Sequence, residues 1–183
     1  MPTGRRVCTI DERIVRAPVE CMFEIARSVE AWPTHLAHYR AVQMRERRSD
    51  GGGLVAMAAQ RPFGPLRWPV WWLAQMQVVR PPNGNPSIRF RHVDGVTRGM
   101  DVEWSFTPWP ERFTPSTTPV ATFVRIVHVW DGPAWPFVGP TVASGVIGPL
   151  FVHAIAARTL RGLAMVAEQR CPGDGRHIET ESP

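Results

Sequence analysis

The run RPFGPLRWPVWWLAQM, residues 61–76, places Trp68, Trp71 and Trp72 within five positions of a strand-like segment. Indoles need extensive apolar surface, so three this close demand a broad hydrophobic face elsewhere in the chain. Strand alternation sorts the segment into Trp68, Val70, Trp72, Ala74, Met76 and Val78 on one face and Trp71, Leu73, Gln75 and Gln77 on the other. The glutamines mark the second as the outer face. Later strands repeat the apolar pattern with Phe90, Trp104, Phe106 and Trp130 inward, and they set His92 and His128 among these rings. Aromatic walls holding a few polar groups are the makings of a ligand pocket.

A chain of 183 residues with 44% hydrophobic and 20% charged side chains can bury one substantial core. No window approaches the roughly 18 apolar residues of a membrane span. The opening MPTGRRVCTIDERIV passes directly into a strand pattern without the apolar core of a secretory signal, so a cytoplasmic protein is expected. Cys8, Cys21 and Cys171 are odd in number, far apart and without CxxC spacing. Reduced thiols are expected, with no zinc site and no disulfide framework.

All 21 basic residues are Arg, and the net charge is +5. The arginines are dispersed apart from Arg45, Arg47 and Arg48, which read as the solvated face of a strand, so nucleic acid is not an expected partner. The surplus leaves two partners open: an anionic membrane surface touched transiently, and an acyl carrier protein that delivers substrate.

Along the chain, residues 7–16 alternate as a strand in which Glu12 lies between Ile10 and Ile14 on one face. Ala17-Pro18 opens a helix, with Val19, Met22, Phe23, Ala26 and Val29 at helical spacing, and Trp32-Pro33 stops it. A second turn, capped by Thr34, covers 34–38. Strands are expected at 39–49, 54–60, 68–80, 87–93, 100–107 and 120–130, with Arg89, Arg91, Asp101, Glu103 and Ser105 outward. The run Asp50 to Gly53 forms a hairpin turn. The Pro- and Gly-rich stretch 131–140 carries Trp135 and Phe137 as a cap over something apolar. A closing helix starting near 143 or 149 and ending at Arg170 turns Val152, Ile155, Leu163 and Val166 inward. Residues 171–183 read as a disordered tail.

The opening RIVRAPVECMFEIARSVEAWPTHLAHYRAVQM resembles the START-like (SRPBCC, helix-grip) superfamily. Its members include polyketide cyclases and aromatases, coenzyme Q-binding proteins and plant lipid binders. The marks are a strand ending in Ala-Pro, a helix with an aromatic like Phe23, and a Val-Glu-x-Trp-Pro like Val29 to Pro33. The resemblance implies an α+β helix-grip fold over residues 1–170. In it a curved antiparallel sheet of about seven strands wraps around a long C-terminal helix, with a short helical pair after the first strand. It implies a cavity between sheet and helix, in which Tyr39 and Trp72 stand at family positions. Where aromatase/cyclases place an inward Arg, this strand carries Ala74 and Met76.

An aldol cyclisation needs a base for a proton α to a carbonyl and a donor for the developing enolate or alkoxide. The catalytic candidates are His92 and His128 as acid/base groups near neutral pH and Tyr39 as donor. The substrate-binding candidates are Trp68, Trp72, Met76, Phe90, Arg98, Met100, Trp104, Trp130, Trp135, Phe137 and Ile155, with Arg98 placed at a hairpin mouth to hold a carboxylate or phosphate. No HxH, HxxxH or HExxH spacing indicates a metal, and His35 and His38 fall in a short exposed turn. No phosphate loop, GxGxxG or GxSxG occurs, so no cofactor is expected. Two functions stand: a polyketide cyclase/dehydrase acting on a poly-β-ketone or related chain, and a non-catalytic carrier of a lipid, quinone or isoprenoid.

Overall fold

The structure, a computed structural model, describes residues 7–63, 66–109, 121–131 and 148–172. Strand β1 (Val7–Val15) leads to helix α1 (Val19–Arg27), a 3₁₀ turn (Val29–Ala31) and the short helix α2 (Trp32–His35). Six strands follow: β2 (Tyr39–Arg47), β3 (Gly53–Phe63), β4 (Leu66–Val79), β5 (Ser87–Gly95), β6 (Asp101–Trp109) and β7 (Ala121–Val129). Helix α3 (Gly148–Arg170) closes the described chain. The strands form one antiparallel sheet in the order β1-β7-β6-β5-β4-β3-β2, curved in the expected helix-grip manner. Both sheet edges come from the first two strands, because the chain crosses from β1 to β2 through its helices.

Helix α3 grips the sheet by two rows at helical spacing, Val152, Ala156, Leu160 and Ala164, then Thr159, Leu163 and Ala167, all buried. Four ties hold it. Asp11 Oδ1 lies 2.6 Å from His153 Nδ1, the Arg16 backbone N–H donates to Glu168 Oε1 at 3.0 Å, and Arg170 Nη2 lies 3.2 Å from His35 Nε2. A disulfide joins Cys21 on α1 to Cys171 beyond α3, across 150 residues of sequence. This corrects the expectation of reduced thiols. Spacing along the chain says nothing about two cysteines that only the packing of α1 against α3 brings together. It also places Cys171 in the fold rather than in the tail, whose residues 173–183 lie outside the described residues.

Several local expectations change. Trp32-Pro33 begins α2 rather than ending a helix, with Pro33 in its first turn, and Pro18 stands one residue ahead of α1 at its N-cap. Thr34 caps nothing, since its hydroxyl donates to the Ala31 carbonyl at 2.7 Å. On β1, Ile10 and Ile14 face outward, 44% and 45% exposed, with Glu12 between them paired to Arg125 at 3.2 Å. Asp11 and Val15 turn in beneath α3. Asp101 is buried under the Arg91 guanidinium, whose Nη1 reaches both of its oxygens at 2.9 Å. Its cross-strand neighbours Arg89 and Glu103 pair beside it at 2.7 Å.

The inner face divides in two. At one end α1 fills it, with the Phe23 ring edge-on to Phe106 at 5.4 Å and Met22 and Met76 fully buried. From there the rings run on: Phe106 to Trp104 at 6.4 Å, Trp104 to Trp32 at 5.8 Å, Trp32 to Tyr39 at 5.3 Å, Tyr39 to Trp72 at 6.1 Å. The chain of aromatics leaves a solid core and becomes the wall of a cavity.

The β5–β6 hairpin needs glycine twice, at Gly95 (φ +87°) and Gly99 (φ +86°). A Cβ on Gly95 would lie 2.4 Å from the Trp71 carbonyl oxygen. Gly95→Ala should lower stability in urea unfolding by about 1–3 kcal/mol from backbone strain alone. Thiol titration of the unfolded, unreduced chain should find one reactive cysteine, Cys8; three would remove the Cys21–Cys171 bond.

Candidate functional site

The cavity lies between the sheet and α3. It is walled by Trp32, Tyr39, Met57, Trp72, Phe90, Met100, Val102 and Trp104 from below and by Val152, Ile155, Ala156 and Thr159 from the helix, with His92, Thr97 and His128 completing it. About 70 Å³ is open to the centres of water-sized molecules. That is several times the room one water needs, in surroundings mostly too apolar to hold it.

Strand alternation delivers the two histidines. His92 follows Ile88 and Phe90 on the inner face of β5, and His128 follows Val124 and Ile126 on that of β7. The hairpin after β5 then curls back: Gly99 N–H donates to the His92 carbonyl and His92 N–H to the Met100 carbonyl, both at 2.8 Å. This fold brings Thr97 Oγ1 to 2.6 Å from His92 Nδ1. Thr9 on β1 sits opposite His128 in register, and its Oγ1 lies 2.9 Å from His128 Nδ1. Each imidazole thus leans one nitrogen on a hydroxyl, and neither Nε2 has a hydrogen-bond partner among the described residues. A hydroxyl both donates and accepts, so either tautomer is supported and Nε2 can face a ligand as N–H or as lone pair.

Burial holds both rings neutral. His92 is pushed down from 6.5 to about 3 by desolvation, with a smaller contribution from nearby His128. His128 is likewise lowered to about 3 by desolvation and secondarily by His153. Both rings are therefore in the neutral form at neutral pH, because burial penalises the imidazolium. Tyr39 moves the other way, up to about 12, as burial disfavours its phenolate.

Of the residues singled out from sequence, His92, His128, Tyr39, Trp72, Phe90, Met100, Trp104 and Ile155 come together on this cavity. Met76 belongs to the solid core and does not line it. Trp130 is buried behind the wall, where its Nε1 donates to the Arg98 carbonyl at 3.0 Å and pins the hairpin that carries Thr97. Arg98 offers that carbonyl, while the residue itself is exposed and outside the cavity lining. The side chain of Trp68 and all of Trp135 and Phe137 lie outside the described residues.

Sequence reading missed Trp32, Met57, Thr97, Val102, Val152, Ala156 and Thr159. It also placed His38 in an exposed turn, whereas His38 is buried, its Nε2 3.0 Å from Thr159 Oγ1. Desolvation, and behind it Arg158, lowers His38 to about 4. Strand alternation could have paired Met57 with Trp72, which it faces across β3 and β4. Trp32 and Thr159 carried no comparable signal. Among the described residues no three His, Cys, Asp or Glu side chains converge as metal ligands.

Residues 15–147 match the family model described as polyketide cyclase / dehydrase and lipid transport. The chain belongs to that family. A cavity for a hydrophobic ligand is its common feature with the site described above. No curated protein matches the chain in sequence. Among solved structures, a protein of Thermus thermophilus is similar over 88% of this chain and 97% of its own, at 18% identity and a TM-score of 0.66. A START superfamily protein from Mycobacterium smegmatis matches 90% of this chain and 99% of its own, at 15% identity and 0.63. The Zhui aromatase/cyclase from Streptomyces sp. R1128 matches 91% and 96%, at 16% identity and 0.59. At these identities the likeness is one of fold.

The buried histidines carry a pH signature. Their folded pKa values lie below the ordinary 6.5, so the unfolded chain takes up protons first as pH falls. Their stabilising contribution is complete above pH 6.5 and is lost progressively toward pH 3. By pH 5 each of His92 and His128 should have removed about 2 kcal/mol. Unfolding free energy measured from pH 7.5 to 5 should fall accordingly, and His92→Gln should flatten the slope. An unchanged slope in that variant would remove His92 from the account.

Proposed function

We propose that this protein binds a hydrophobic small molecule in the cavity between sheet and α3 and promotes cyclisation of a poly-β-ketone or related chain there. The observation that carries the reading is the pair of imidazole Nε2 atoms without a hydrogen-bond partner among the described residues, with the Tyr39 phenol, on a mostly apolar wall. Cyclisation moves one proton off a carbon and forms a C–C bond to a carbonyl whose oxygen gathers charge. A neutral imidazole as N–H donor, or the protonated Tyr39, stabilises that oxygen. The second imidazole, in the other tautomer, accepts the proton. Its low basicity in the empty cavity means that the proton must pass on within the same event, so polarisation of the carbonyl is the larger share of the work. Trp72 supplies a flat surface against which the chain folds, stacked on His92 at 5.8 Å and 17°. Trp68, Trp135 and Phe137 remain substrate-binding candidates in this reading. An acyl carrier protein fits the delivery step, its acidic surface meeting the +5 charge of the chain.

A second reading, passive carriage of a lipid, quinone or isoprenoid, is favoured by one observation. Ala74 and Met76 stand on the strand where an inward Arg would polarise substrate, and both are fully buried in the core. Under it the same polar atoms orient a head group. No helix among the described residues is long and apolar enough to cross a membrane. The Cys21–Cys171 bond fits an oxidising compartment better than a reducing one.

Trp72→Ala should weaken binding of an aromatic ligand by roughly 10-fold or more under either reading. His92→Gln and His128→Gln separate them. Cyclisation should slow by about 100-fold or more while ligand affinity holds. Undiminished product formation would leave only the carrier.

A further inference from the structure

The cavity has a second polar pole, of which the cyclisation reading uses only the Tyr39 phenol. Thr159 Oγ1 donates to the Ile155 carbonyl at 2.8 Å. His38 Nε2 lies 3.0 Å from the same threonine oxygen, so His38 acts from behind the wall. Tyr39 Oη accepts from the same hydroxyl at 3.5 Å, at the limit of a hydrogen bond, and Tyr39 lines the cavity with no acceptor for its own proton among the described residues. The opposite pole is His92 and His128, each backed by a threonine hydroxyl. The Trp72 ring touches a member of each pole, Tyr39 at 6.1 Å and His92 at 5.8 Å.

Between these poles the described lining holds no Arg, Asp or Glu. A carboxylate or phosphate brought inside would lose its water and meet no cation. We propose that the cavity selects an uncharged, ring-bearing or planar ligand with a carbonyl or hydroxyl oxygen at each of two ends, and rejects anionic analogues of the same shape. The inference rests on the cavity being the ligand site and adds what that site selects. It applies to a cyclised product and to a carried quinone alike, and it stands against a fatty acid or a phospholipid head group inside the cavity.

Two isosteric pairs test it, the smaller suited to a tight cavity: 4-methoxyacetophenone against 4-methoxybenzoate, and 2-acetyl-6-methoxynaphthalene against 6-methoxy-2-naphthoate. Each is titrated calorimetrically at pH 7.5 into the full chain, Trp72→Ala and Tyr39→Phe. In at least one pair the ketone should bind more tightly than the carboxylate by about 30-fold or more. Tyr39→Phe should weaken the ketone by about 3- to 10-fold, with unaltered circular dichroism. A carboxylate that binds as well as its ketone overturns the selection while leaving the cavity as a ligand site, provided Trp72→Ala weakens both. Binding that Trp72→Ala leaves untouched, or no binding by any of the four, overturns the cavity reading and the selection with it.

Discussion

Trp32 is the contact on which this architecture turns. Its indole is 3% exposed, donates from Nε1 to the Ala26 carbonyl at 3.2 Å, and lies against Tyr39, Phe90 and Trp104 on three different strands. It therefore ties the end of α1 to the middle of the sheet. The indole lies between the helical segment and the inner face of the sheet and lines the cavity there. One side of Trp32 is packed solid around Phe23 and Phe106; the other is cavity. Shape complementarity in a close-packed interior makes such a division sharp.

The same burial that makes the cavity apolar sets its chemistry. Imidazole, phenol and hydroxyl groups survive there because each is neutral and each has at least one partner, while a charged group would require a counter-charge. Threonine is the recurring partner, at Thr9, Thr97 and Thr159. Its hydroxyl satisfies a ring nitrogen in either tautomer, and its methyl adds to the apolar wall. The exception is Asp11, whose Oδ2 is buried without a partner among the described residues and whose carboxyl is pushed upward by desolvation, against the opposing pull of His153. It sits under α3 on an edge strand, where the ion pair to exposed His153 connects a buried group to solvent.

Closure depends on how α3 is held. Apolar rows on the helix give adhesion without a fixed position, since sliding along the sheet changes little buried area. The polar ties and the cystine to α1 are directional and remove that freedom. Residues that carry no chemistry in the cavity, Trp130 among them, position those that do by fixing the hairpin with Thr97.

The sequence by itself determined the succession of elements, the antiparallel strands and the inner faces of β4 to β7, because alternation is a local property of the backbone. Trp72, Phe90, His92, Trp104 and His128 were legible as neighbours on that ground. It misassigned β1, where an edge strand covered by a helix has Asp11 and Val15 inside and two isoleucines outside, so apolarity ceased to mark the buried face. It passed over Trp32, His38 and Thr159, which lie on separate elements and meet only when α2, β2 and α3 converge. Tertiary structure alone decided the cystine, the exposure of Arg98, the exclusion of Met76 from the wall and how far burial lowers the histidines. Each of these depends on distances and on lost water between segments remote in sequence, and neither is encoded in the order of residues along one strand.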